Sequence, residues 1–148
     1  MTKTVGVFAP LALAIVAFAL APSSAQAQSY SGDFSLTWSV SYGYGLGNHT
    51  YCLKLTDNGS FGFPHSGPAA VTGDYVVTHA QGFFQVINNE LVATFYVPGG
   101  EEIGDVVFVA AARNGDIGDG FAEYSASGAY TDSGALTFGK KGGCDNSQ

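Results

Sequence analysis

The chain has 148 residues, 46% of them apolar and 14% aromatic, which is room for one domain with a core and argues against disorder. Only 11% are charged, against a norm of about 25%, and the 21 glycines, 8 tyrosines and 11 phenylalanines describe a β protein with tight turns. Five Lys and Arg against twelve Asp and Glu leave a charge of −7, so the basic footprint needed for nucleic-acid backbones or anionic membrane surfaces is missing.

Residues 1–27 read as a secretory signal peptide. Lys3 opens the segment, an apolar run follows over 5–21, and Ala25-Gln26-Ala27 supplies small residues for cleavage. The run is shorter than the ~20 residues of a spanning helix, and Pro10 interrupts it. The expected mature chain is therefore a single small β domain over 28–148, secreted or periplasmic, with no membrane insertion. Lys3 is the one charged residue of the leader, so its loss takes the charge to −8.

From there the chain alternates with period 2 in short segments. In 34–40, Phe34, Leu36, Trp38 and Val40 share one face and Ser35, Thr37 and Ser39 the other. Residues 42–48 read as a loop. Residues 51–55 form the next strand, closed by Asp57-Asn58-Gly59. Residues 71–78 and 82–87 follow, and Asn88-Asn89 turns the latter into 91–97 as a hairpin. Residues 106–112 are the most apolar strand and read as central, with Val107 and Val109 filling a second buried face. Asn114-Gly115 and Asp119-Gly120 bracket a turn before strands 121–127 and 135–140. The sum is an all-β fold: an antiparallel barrel or sandwich of seven to nine strands, eight counted directly, with 60–64 as a ninth. The expected core comprises Phe34, Leu36, Trp38, Leu53, Leu55, Val86, Leu91, Phe95, Val106, Phe108, Leu136 and Phe138.

Cys52 and Cys144 are an even pair in an exported chain, and the expectation is a structural disulfide. This bond strains a simple eight-strand meander. If Cys52 begins its strand, it lies at the barrel end opposite Cys144, and the tail at 141–143 is too short to run back at about 3.4 Å per residue. The sequence then requires an odd strand count or another topology.

No nucleophile elbow, zinc-protease helix motif, phosphate loop or dinucleotide fingerprint is present, so neither a catalytic constellation nor a cofactor is expected. His49, His65 and His79 are too widely spaced for a local zinc motif. Asp116, Asp119 and Glu123 lie in a glycine-rich stretch that misses the calcium-loop pattern, and Glu101, Glu102 and Asp105 read as a solvated acidic loop. The loop aromatics carry more promise. Tyr42 and Tyr44 alternate with Gly43 and Gly45, and Tyr130 sits in the connection 128–134, so these three are the expected binding residues. Phe61, Phe63 and Pro64 form a further cluster.

With Trp38 on its first strand, the chain resembles the small secreted barrels of the lipocalin and avidin type in architecture. Those families carry Gly-x-Trp where this chain has Leu36-Thr37-Trp38, so no binding residue carries over. The expected function is an exported non-catalytic module that binds a small molecule in a barrel cavity or at its aromatic loops. A protein-interaction or inhibitor domain acting through loops is the alternative, followed by an enzyme without a recognisable motif.

Overall fold

A computed structural model describes residues 28–144 apart from 74–75, 100–101 and 127–128; side chains are also left undescribed at 76–79, 98–99, 102–103, 129–131 and 138. Residues 1–27, expected as a leader, lie outside the described residues. Eight antiparallel strands close into a barrel in simple sequential order. They are β1 (Gly32–Gly43), β2 (Gly47–Leu55), β3 (Ser66–Gly73), β4 (Val76–Ile87), β5 (Glu90–Gly99), β6 (Glu102–Arg113), β7 (Asp116–Ala126) and β8 (Ala129–Lys141). Closure comes from β1 pairing with β8, Trp38 opposite Leu136 and Phe34 opposite Lys141.

Alternation assigns the two faces. Phe34, Leu36, Trp38 and Val40 point inward and are buried, as are Leu53, Leu55, Leu91, Phe95, Phe108 and Leu136. Val86 and Val106 are partly buried and pack on this core, and the Phe138 side chain is not among those described. Two hairpins follow the turn chemistry of the sequence. Asn88 and Asn89 both have positive φ (52° and 63°), as do Asn114 and Gly115 (48° and 83°), the requirement of a type I′ turn between twisted strands.

Several expectations need correction. The meander is intact and the disulfide forms within it: Cys52 and Cys144 are bonded with Cα atoms 5.6 Å apart. The error lay in the start of β2. That strand begins at Gly47, four residues before Tyr51, so Cys52 sits in its last half, opposite Ser35 near the start of β1. The tail need only cross the outside of β1. The Gly142 N–H donates to the Asp33 carbonyl at 2.7 Å, and Gly143 passes so close to Ser35 Oγ that a Cβ there would collide with it.

Residues 60–64 are not a ninth strand but contain a short 3-10 turn, Ser60–Gly62. Asp119-Gly120 lies inside β7 rather than in a turn. No strand is central in a closed barrel, and Val107 on the outer wall is 39% exposed. Much of the glycine also serves strands rather than turns. At Gly82, Gly104, Gly120 and Gly134 a Cβ would fall into the neighbouring strand, so their absence of a side chain lets the wall bend sharply.

Candidate functional site

The meander fixes two ends. The first holds the start of β1, the β2–β3, β4–β5 and β6–β7 connections and the end of β8. The second holds the β1–β2, β3–β4, β5–β6 and β7–β8 connections. Inside the first end the barrel is filled, with Phe34, Phe84, Leu91 and Ile117 among the largest fully buried side chains.

Polar residues close that end from above. Asp57 accepts from the backbone N–H groups of Tyr30 (3.1 Å, Oδ2) and Ser66 (3.2 Å, Oδ1), and its Oδ2 pairs with His65 Nδ1 at 2.8 Å. The Tyr30 ring stands edge-on to His65 with centroids 5.1 Å apart. Burial pushes the Asp57 carboxyl up, but the His65 hydrogen bond, the Tyr30 N–H, the His65 charge and the Ser66 N–H together hold it below the usual 3.8.

The second end is hollow. A cavity of about 400 Å³ reaches from mid-barrel to the β1–β2 connection. Leu36, Leu53, Val71, Val97, Ala122 and Leu136 supply aliphatic wall, and Trp38, Tyr51, Phe95, Phe108 and Tyr124 supply aromatic wall. Tyr44 and Gly45 form part of the mouth. Trp38 and Tyr51 stand with ring centroids 6.2 Å apart. Trp38 Nε1 is the one buried side-chain polar atom without a hydrogen-bond partner among the described residues.

A single charged side chain lines this space among the described residues: Asp132, 7% exposed. Its Oδ1 accepts from the backbone N–H groups of Tyr44 and Gly45 at 2.6 and 2.9 Å. From the other side His49 Nε2 meets the Gly45 carbonyl at 2.8 Å, a contact in which the ring nitrogen must donate. The mouth loop is thus held at successive residues by β8 and β2.

Of the expected binding residues, Tyr44 lies at the cavity mouth and is 93% exposed. Tyr42 belongs to the end of β1 rather than to a loop and is 65% exposed. The Tyr130 side chain lies outside those described, as do those of His79, Glu101 and Glu102. Phe61, also exposed, packs edge-on against Phe83 on the outer wall of β4, with centroids 4.8 Å apart. His49 and His65 are brought to opposite ends. No group of three or more His, Cys, Asp or Glu that could hold a metal occurs among the described residues.

Sequence reasoning missed Asp132 because 128–134 reads as a connection. Counting back by twos from Leu136 through Gly134 places Asp132 on the inner face, and β8 does begin at Ala129.

Fold and site together define the class: a closed eight-stranded antiparallel barrel with one packed end and one end opening on an aromatic-walled cavity. No family model matches the chain, and neither curated proteins nor solved structures give a match. No described helix is long and apolar enough to cross a membrane.

Proposed function

We propose that this protein is an exported, non-catalytic binding module that takes a small, largely apolar molecule into the open end of its barrel. The cavity carries the reading: its volume of about 400 Å³ falls in the range of sites that hold small molecules, about 300–1,000 Å³, and its wall is mostly apolar. The clamped mouth adds support, since binding then needs little ordering of the loop. Export rests on the leader at 1–27, and the disulfide fits an oxidising compartment, periplasm or medium. One observation favours a second reading. Tyr42, Tyr44 and Leu46 are 65, 93 and 66% exposed around the mouth, an apolar rim of the kind that enters a partner protein's groove.

Trp38 is the sole tryptophan and lines the cavity, so its emission reports on occupancy. Titration with the neutral probe N-phenyl-1-naphthylamine should change that emission saturably and raise the melting temperature. Emission and melting temperature that both stay flat up to the probe's solubility limit would sink the cavity reading.

A further inference from the structure

The cavity reading leaves the ligand's charge open, and the following inference rests on that reading. We infer that the ligand is an organic cation, an ammonium group on a small apolar body, with Asp132 as its counter-ion.

Two independent observations lead there. The first is the chemistry of the wall. Five aromatic residues wall one space, Trp38, Tyr51, Phe95, Phe108 and Tyr124, and Tyr44 stands at its mouth. The negative faces of such rings attract a cation, most strongly where water is excluded, and aromatic cages of this kind receive alkylammonium groups. Asp132 adds a formal charge in the same wall, with no Lys, Arg or His beside it among the described lining residues. Both N–H bonds from the mouth loop go to its Oδ1, which leaves Oδ2 outside them. A carboxylate ligand would meet this charge with no Lys, Arg or His among the described lining residues to offset the repulsion.

The second observation is the distribution of charge over the whole barrel. The four basic residues of 28–148 are Lys54, Arg113, Lys140 and Lys141, and all lie in the last two residues of β2, β6 or β8, at the packed end. The packed half also carries Asp33, Asp57, Glu90, Asp116 and Asp119, which offset those four cations, whereas the open half holds Glu102, Asp105, Glu123 and Asp132 on its strand segments and no Lys or Arg. A molecule polarised this way draws cations toward its mouth and turns anions away.

The test is a charge series on one apolar body, measured by titration calorimetry: 1-naphthylmethylammonium, 1-naphthylmethanol and 1-naphthylacetate. The ammonium should bind about tenfold or more tighter than the alcohol, and the acetate weakest. Asp132→Asn keeps an oxygen for the Tyr44 and Gly45 N–H groups and should remove most of the ammonium's advantage, leaving the smaller preference the rings supply, with the alcohol unchanged. Binding of all three with the alcohol or acetate as tight as the ammonium overturns the inference and leaves the cavity reading standing. Binding of none removes both. An ammonium preference undiminished in Asp132→Asn overturns the role given to Asp132. Should that variant not fold, the wild-type series at high salt decides: a preference held by a buried carboxylate persists, and one that vanishes overturns the assignment.

Discussion

The two ends of the barrel are built from the same eight strands and the same alternation, yet one is packed and the other hollow. At the packed end Phe34, Phe84, Leu91 and Ile117 fill the interior. The β2–β3 connection then folds over it and is tied to the N-terminal segment through Asp57. At the hollow end the inward residues include Val71, Val97 and Ala122, and the β1–β2 loop is tied outward to the rim by Asp132 and His49. Both ends use a carboxylate to fix a loop. What differs is whether the loop is pulled across the opening or held at its edge.

The largest expected effect belongs to the closed end. Cys52–Cys144 joins residues 92 apart in sequence, and in the chain-entropy account closing so long a loop contributes about 4–5 kcal/mol. Cys144→Ser should therefore give the steepest fall in denaturant midpoint of any change considered. If the midpoint holds, the tail is an ornament on a barrel that closes without it. Next comes the wall of the open half. Gly134 is buried between β1 and β7, and a Cβ there would run into the Ser39 carbonyl. Gly134→Ala should cost about 3 kcal/mol by overpacking, although a cavity lies close by. A near-neutral result would mean that the open end is loose throughout rather than hollow only along its axis.

Asp57 tests the plug. Asp57→Asn removes a charged acceptor of two backbone N–H groups and the partner of His65, a loss of about 1.5–3 kcal/mol. The pH dependence follows from its lowered pKa. A carboxyl held below its unfolded value stabilises the fold fully above that value, and the contribution is lost as pH falls through the folded pKa. The melting temperature should thus drop on acidification below about pH 4, and drop less in Asp57→Asn. Equal slopes for the two proteins would show that the plug does not depend on the ionised carboxylate.

How much of this was legible in the sequence varies with the range of the interaction. Short-range signals read well: the period-2 face of Phe34, Leu36, Trp38 and Val40, and the asparagine turns at 88–89 and 114–115. Strand ends read poorly, because Gly47 and Ala129 begin strands amid glycines that resemble turns until their neighbours across the sheet are known. That error displaced Cys52 to the wrong end and hid Asp132 in a supposed loop. Closure was legible only as one of two alternatives, barrel or sandwich, since it depends on β1 meeting β8 about a hundred residues later, as Thr37 meets Thr137. Hollowness was equally hidden, because alternation tells which side chains face inward and not whether they touch.

The smallest expected effect separates the inside of the open end from its outside. Tyr42 and Tyr44 both stand in the solvent, so truncating either should move stability by no more than about 0.5 kcal/mol. Their positions nevertheless differ. Tyr44 follows β1, lies at the cavity mouth, and donates its backbone N–H to Asp132, whereas Tyr42 sits on β1 opposite Ser133 and is not among the lining residues. If a ligand enters the barrel, Tyr44→Ala removes one wall of the entrance and should weaken the naphthyl probes about two- to fivefold, while Tyr42→Ala changes nothing. If the outer surface is what recognises a partner, the two rings form one exposed patch with Leu46 and should matter alike. Calorimetry on both variants therefore distinguishes the hollow from the rim. Equal losses would transfer the function to the loops, and a loss confined to Tyr44 keeps it in the cavity.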